Sequence, residues 1–250
     1  MQDWDLVVVG ASFAGAACAL AAAHRGLRVC VLERKRDPGE RLHTTGIIVK
    51  EAAERTWLQR LPPGLTRRIG RVRLYSPRLR HLDLGAPDYY FLTTDTPGVM
   101  RWLADELVAH GVALHLGTAF TDARDEGERL VLPGLGRTRF LIGADGARSR
   151  VAVRFGLGRV REHLHGVEYE FAGRTLSDPD ALHCFISKQY APGYIGWVAQ
   201  NPGGVQAGIA LRRGAGRARR PDLDGCLRHV GPRGGLPADV KPSAVRAGPI

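Results

Sequence analysis

Residues 5–33 read DLVVVGASFAGAACALAAAHRGLRVCVLE. Leu6 to Val9 form a continuous apolar run, the pattern of a strand covered on both faces in a parallel sheet. Gly10-Ala11-Ser12-Phe13-Ala14-Gly15 follows where a G-x-G-x-x-G turn is expected, with Ser12 in the place of the middle glycine. The alanine-rich run to Ala23 predicts a helix lying close against the sheet. Gly26 predicts its end, because glycine adopts the left-handed backbone without penalty. Arg28 to Leu32 then read as a second strand with Glu33 at its tip. Strand, tight turn, helix, strand and terminal carboxylate together suit the adenosine diphosphate half of a dinucleotide. The first glycine permits a sharp reversal and the last permits close helix–strand packing. The helix N-terminus offers free N–H groups and a positive dipole end to a pyrophosphate. Glu33 stands 23 residues after Gly10, at the usual separation of a carboxylate that accepts hydrogen bonds from ribose hydroxyls. Gly10, Ser12, Phe13, Ala14, Gly15 and Glu33, with Arg34 beside it, are therefore candidate cofactor contacts.

The chain has 250 residues, 44% of them hydrophobic, enough to build one large domain or two small ones. It lacks a run of about 18 apolar residues, so a transmembrane helix is not expected. It opens almost at once on a strand, which predicts no signal peptide and a cytoplasmic setting. Cys18, Cys30, Cys184 and Cys226 have no metal-ligand spacing, and no metal site is expected. Cys18 and Cys30 fall on the first helix and second strand, as small core residues. The net charge of +11 comes from 36 basic and 25 acidic residues, mostly arginine. No nucleic-acid-binding motif accompanies it, so nucleic acid is not an expected partner. A dispersed, solvated arginine-rich surface accounts for the charge; a basic face against anionic lipid, as a peripheral contact, or against a phosphorylated substrate is the alternative.

Ile47 to Arg60 read as a helix stopped by Pro62-Pro63-Gly64. Short strands are expected at Ile69–Ser76, Arg80–Leu84 and Tyr89–Leu92. A helix capped by Asp95 or Thr96, with Pro97 in its first turn, runs to His110, and Val112–Leu116 is the next strand. A β-meander over Phe120–Leu132 and an apolar strand at Thr138–Ile142 follow. From His163 to Leu211 the text changes to strands separated by Gly, Pro and Asp turns, a mainly antiparallel sheet. The segments near 70–92 and 160–211 are expected to form one layer. Pro221–Val230 reads as a helix, and the tail has no strong periodicity.

GADGARSRV at 143–151 places a second glycine turn and a carboxylate after a strand. With these two motifs, the chain resembles the FAD-dependent oxidoreductases of the p-hydroxybenzoate-hydroxylase fold, and within them the geranylgeranyl reductase family. The likeness extends over nearly the whole chain. It implies an α/β fold: a discontinuous, Rossmann-like FAD-binding domain (residues 1–68 and 93–158) and a mainly antiparallel β substrate domain (69–92 and 159–250). By the same resemblance, the glycine turn and Glu33 hold the ADP part of FAD, with Asp145 and Gly146 adding contacts. His43-Thr44-Thr45-Gly46 corresponds to the family's Cys-Gly-x-Gly segment beside the isoalloxazine. His43, Thr44 and Gly46 thus become candidate contacts, with His43 replacing the cysteine. The family's FAD-contacting arginine falls at Thr96, with Arg101 one turn inward as a substitute. The backbone near Phe120 would lie by the adenine.

Gly193-Tyr-Ile-Gly-Trp-Val-Ala-Gln200 is similar to the family's Tyr-x-Trp-x-Phe-Pro substrate motif, with one residue added and Phe-Pro absent. Tyr194 and Trp197 fit either a tunnel for an apolar chain or ordinary sheet packing. In the family, a Gly-Asp turn follows a strand resembling Ser243–Ile250. The chain is therefore expected to be truncated inside a core strand, with reduced FAD affinity and an exposed apolar sheet face.

The function implied is FAD-dependent reduction of double bonds in an isoprenoid or similar apolar substrate by hydride transfer from reduced flavin. The alternative is a flavoprotein monooxygenase acting on an aromatic or polyketide ring with NAD(P)H and oxygen; a non-catalytic fragment is the third reading. NAD(P)H is a candidate electron donor. No side chain stands out as an obligatory acid, and Tyr194 and His43 are as readily structural as chemical.

Overall fold

A computed structural model describes residues 2–42, 44–212, 220–236 and 241–249. In chain order the elements are β1 (Asp3–Val9), α1 (Phe13–Ala23), β2 (Val29–Glu33), β3 (Ile47–Val49), α2 (Lys50–Arg55), β4 (Thr66–Ile69), β5 (Arg71–Tyr75), β6 (His81–Leu84), β7 (Phe91–Thr94) and α3 (Thr96–Ala109). Then come β8 (Ala113–Leu116), β9 (Arg124–Asp125), β10 (Leu130–Leu132), β11 (Gly136–Gly143), α4 (Arg150–Arg154), β12 (Leu164–Ala172), β13 (Ala181–Phe185), β14 (Gly196–Asn201), β15 (Gly204–Arg212), α5 (Leu223–Val230) and β16 (Ala244–Pro249). They form two compact units, Met1–Glu40 with Pro97–Arg161, and Arg41–Thr96 with Glu162–Ile250.

The first unit is built on a six-stranded sheet in the order β8-β2-β1-β11-β10-β9. β1 runs parallel to both β2 and β11, and β2 parallel to β8, so the apolar run of β1 is flanked on both edges. Val7, Val9, Cys30 and Leu32 share a core with Trp4, Phe120, Leu132 and Val151. Burial pushes the Cys30 thiol up to about 12, so it serves as packing there. On α1, Ala16 and Ala19 are wholly buried, which fits the close approach that its small side chains allow. Phe140 and Ile142 of β11 stand exposed.

The second unit holds a seven-stranded sheet in the order β16-β12-β15-β14-β13-β5-β6 and a three-stranded sheet, β3-β7-β4. Among the described residues, only β13 with β5 is a parallel pair in these sheets. Strand periodicity sorts the large sheet into two faces. Val167, Tyr169 and Phe171 of β12 join Val205, Ala207 and Ile209 of β15 in one core. Trp197, Ala199 and Ala210 belong to a separate cluster with Ile69 and Cys184.

Four expectations are corrected. The helix over Ile47–Arg60 is broken: Ile47-Ile48-Val49 is β3, paired with Thr93, Leu92 and Phe91, and the helix begins at Lys50. Three successive β-branched residues beside an available strand outweigh the helical pattern. The strand expected over Ile69–Ser76 divides at Gly70 into β4 and β5, which enter different sheets. The unit boundaries lie at 40/41, 96/97 and 161/162, not at 68/69, 92/93 and 158/159. The cause is that β3 and β4 pair with β7, so 41–68 belongs to the second unit and β7 stays out of the seven-stranded layer. Finally, β16 is an edge strand against β12, not a core strand.

Candidate functional site

In the first unit the three pieces of the predicted nucleotide site converge. Gly10 has φ +102° and donates its N–H to the Leu32 carbonyl at 2.8 Å. A Cβ on Gly10 would stand 2.4 Å from the Ala144 carbonyl oxygen, and one on Gly15 only 1.8 Å from the Gly10 carbonyl oxygen. The N-terminus of α1 thus seats directly on the turn, and GADG seats directly on both. The Ala144 N–H donates to the Val9 carbonyl at 2.8 Å. Glu33 is 6% exposed; its Oε2 accepts the Ala11 N–H at 3.0 Å and its Oε1 accepts the Lys35 N–H at 2.9 Å. The carboxylate therefore locks the glycine turn to the end of β2, and each oxygen retains acceptor capacity for a hydroxyl.

Asp145 Oδ2 accepts the N–H groups of Arg150 at 2.7 Å and Val151 at 3.4 Å, at the start of α4. Its Oδ1 is buried and has no hydrogen-bond partner among the described residues. Ser12 does not cap α1 with its side chain; its hydroxyl faces Met100 Sδ at 3.7 Å. A glycine cradle that any Cβ would fill, an orphaned carboxylate oxygen and a helix N-terminus without a side-chain cap all fit the ADP part of a dinucleotide such as FAD. Phe13 and Ala14 open α1. Arg34 is exposed, Gly146 has φ +82°, and Phe120 is buried in the core beneath the sheet. Arg101 forms a bidentate pair with Asp37, Nη2 to Oδ2 at 2.6 Å, so its guanidinium secures the loop after β2.

In the second unit two stretches that are far apart in sequence line one pocket, of about 30 Å³. Leu42, Thr44 and Thr45 come from the segment leading into β3, Trp197 from β14, Gly166–Glu168 from β12 and Arg246–Gly248 from β16. His43 lies outside the described residues. Gly46, at φ +65°, closes the segment, and its carbonyl accepts the Thr94 hydroxyl at 2.9 Å. Gln206, wholly buried, donates from Nε2 to the Thr45 carbonyl at 3.1 Å and ties the segment to β15.

Trp197, 4% exposed, reaches across β15 because Gly208 has no side chain: a Cβ there would stand 2.3 Å from Trp197 Cζ2. The indole Nε1–H then reaches Glu168 Oε2 on β12 at 3.2 Å. Arg246 Nη1 donates to Glu168 Oε1 at 3.0 Å and to Glu170 Oε1 at 2.8 Å, and Asn201 Nδ2 donates to Glu170 Oε2 at 3.0 Å. Glu168 is 5% exposed. Burial pushes its carboxyl up to about 8; Glu170 adds to the shift, and Arg246 and Trp197 oppose it. Tyr194 stands on the turn before β14, 46% exposed and outside the lining of the pocket. Sequence reading missed Glu168, Glu170, Gln206 and Arg246. The signal for the first two was present: in GVEYEF the acids alternate with apolar residues at strand period, which puts both carboxylates on one face.

Residues 5–87 match the family model of FAD dependent oxidoreductases. The chain is 27% identical over 223 residues to digeranylgeranylglycerophospholipid reductase 2 of Methanopyrus kandleri, covering 84% of this chain and 55% of that protein. It is 28% identical over 232 residues to digeranylgeranylglycerophospholipid reductase 2 of Methanothermobacter thermautotrophicus, covering 88% and 60%. The chain thus spans little more than half the length of these curated relatives. Among solved structures, a geranylgeranyl bacteriochlorophyll reductase-like protein of Thermoplasma acidophilum superposes with a TM-score of 0.84 at 18% identity, covering all of this chain and 66% of that one. At that identity the likeness speaks for the fold. Among the described residues, no helix is long and apolar enough to cross a membrane, and no cluster of metal-ligating side chains occurs.

Proposed function

We propose that this chain, whose residues 5–87 match the FAD dependent oxidoreductase model, is the cofactor- and substrate-holding part of an FAD-dependent enzyme that reduces double bonds of an isoprenoid or similar apolar chain. Gly10, Gly15 and the N-terminus of α1 would hold the pyrophosphate, Glu33 the ribose, and Asp145 with Gly146 a further part of FAD. Reduced FAD, when bound, supplies the hydride. The observation that carries the reading is the pocket of the second unit. It joins Thr44 and Thr45, from the segment that the family resemblance places beside the flavin, to Trp197, from the stretch resembling the substrate motif. The Leu42 and Trp197 side chains give this small pocket an apolar lining, which suits contact with part of an apolar chain. The digeranylgeranylglycerophospholipid reductases among the relatives support a prenyl substrate over an aromatic one.

The test has two stages. An absorbance titration with FAD should give a bound flavin spectrum. The loaded protein, reduced without oxygen and supplied with a geranylgeranylated glycerolipid, should yield product heavier by one dihydrogen per double bond. NADPH oxidation that consumes oxygen and follows an aromatic substrate would establish the monooxygenase reading instead. A protein that stays colourless with FAD would establish the non-catalytic one.

A further inference from the structure

Three segments far apart in sequence meet at one end of the seven-stranded sheet: 76–81 (SPRLRH), 186–191 (ISKQYA) and 225–236 (GCLRHVGPRGGL). Parallel pairing sets Tyr75, at the end of β5, beside Phe185, at the end of β13, and the Ile186 N–H donates to the Tyr75 carbonyl at 3.0 Å. The turn after β5 and the loop after β13 therefore leave the sheet side by side. The end of α5 and the short turn after it close on both. His229 Nε2 lies 3.3 Å from the Pro77 carbonyl oxygen, Arg233 Nη1 donates to the Leu79 carbonyl at 2.8 Å, and the Tyr190 and His229 rings stand 5.5 Å apart.

These segments carry Arg78, Arg80, Lys188, Arg228 and Arg233, together with His81 and His229, and contain no Asp or Glu. All seven of these residues are exposed. Among the described residues, none of the five arginines and lysines forms an ion pair. The nearby acids are engaged elsewhere: Asp83 pairs with Arg73, and Asp222 caps the far end of α5. The basic surface is thus not evenly dispersed. Gathering like charges costs mutual repulsion, which a partner of opposite charge relieves.

We propose that this end of the second unit docks on an anionic lipid bilayer. A cluster of about four to eight Lys and Arg side chains is what an anionic leaflet attracts, each contributing about five-fold in partition near the surface. Ile186, 44% exposed at the same end, favours a bilayer over nucleic acid. An apolar side chain gains at the acyl boundary and gains nothing against a phosphate backbone. The proposal goes beyond the reductase reading and does not depend on it; under that reading it sets the chain where a membrane-held prenyl lipid is met.

The experiment is vesicle co-sedimentation, which needs neither FAD nor turnover. The unaltered chain should bind phosphatidylcholine vesicles containing about 30% phosphatidylglycerol at about 0.1 M salt, leave them at about 1 M salt, and ignore pure phosphatidylcholine. A triple variant, Arg78→Gln, Lys188→Gln and Arg228→Gln, spares Arg233, whose hydrogen bond ties the turn to α5. It should lose roughly 100-fold in partition, three charges at about five-fold each, with circular dichroism and urea midpoint unchanged. A second triple variant, Arg25→Gln, Arg55→Gln and Arg124→Gln, removes the same charge from exposed positions elsewhere and should bind nearly as well as the unaltered chain. The proposal is overturned by an unaltered chain that leaves the anionic vesicles unbound or binds neutral ones equally. Equal losses in the two triple variants overturn it as well, since net charge alone would then account for binding. So does a chain that binds duplex DNA and not the vesicles.

Discussion

The Gly208–Trp197–Glu168 contact can be tested through stability alone. Gly208→Ala would place a Cβ 2.3, 2.6 and 2.9 Å from Cζ2, Cε2 and Cη2 of Trp197. Carbon atoms rest at about 3.5–4.0 Å, so the indole must retreat by roughly an ångström. Neighbours on both strands are packed, and such overpacking costs about 1–3 kcal/mol. The same retreat breaks the 3.2 Å bond from Nε1 to Glu168 Oε2. Leaving a buried donor and a buried carboxyl oxygen unpaired adds about 1–3 kcal/mol. The expected loss is therefore about 2–5 kcal/mol, a large share of the roughly 5–15 kcal/mol that holds a domain together. Urea unfolding followed by far-ultraviolet circular dichroism reads it directly. The decisive control is Trp197→Phe in the same background. Phenylalanine lacks the outer ring that the new methyl meets, so the double variant should be more stable than the two single losses predict by at least about 1 kcal/mol, beyond the usual ~0.5 kcal/mol scatter of independent sites. A G208A chain that unfolds at the original urea midpoint, or losses that simply add, would refute the contact as the reason for glycine at 208.

Gly15→Ala should prevent stable folding of the first unit or abolish FAD binding in an absorbance titration, because its Cβ would fall 1.8 Å from a backbone oxygen that has no room to move. Glu33→Gln should cost about 1–3 kcal/mol in urea and weaken FAD binding, since one amide oxygen cannot replace two carboxylate oxygens that accept from Ala11 and Lys35. Stability should also fall with rising pH through Glu168. Its carboxyl keeps its proton up to about 8 in the folded chain, while the unfolded carboxyl loses it near 4.5, so unfolding between these values releases a proton. The slope from this group approaches ~1.4 kcal/mol per pH unit. Urea midpoints measured across that window should show it in the unaltered chain and a flatter line in E168Q.

How far the sequence was legible depends on whether a signal was local. The nucleotide turn was readable because every part of it sits within 29 residues and each part has one physical job: apolar strand, glycines, small-residue helix, carboxylate. The contact of Ala144 with Gly10 was readable only as a second motif, since parallel pairing of β1 with β11 brings it there from 134 residues away. Ile47–Val49 went wrong because the helical pattern of the following residues was extended backwards over three β-branched ones, and its true partner lies more than 40 residues on, in β7. The buried Glu168 was hidden for a related reason. Glu168 and Glu170 in a strand read as solvent-facing until β16, from the far end of the chain, covers that edge with Arg246. Burial made by a distant edge strand leaves no trace in the local pattern.

The two faces of β12 together argue that the cluster is there for use. Val167, Tyr169 and Phe171 already anchor the strand in a core with β15 and α5. The opposite face could have been closed with apolar residues at equal or better stability, because a buried ion cluster rarely recovers the cost of taking its charges out of water. Here that cost is raised further by an unequal count, two carboxylates to one guanidinium. It is raised again by Gly208, which gives up side-chain packing so that the Trp197 indole can reach Glu168. Three concessions in stability meet at a single oxygen pair, and that pair opens on the pocket beside Thr44 and Thr45. Stability alone gives little reason for them, since replacing a buried ion cluster by apolar residues of similar volume is often neutral or stabilising.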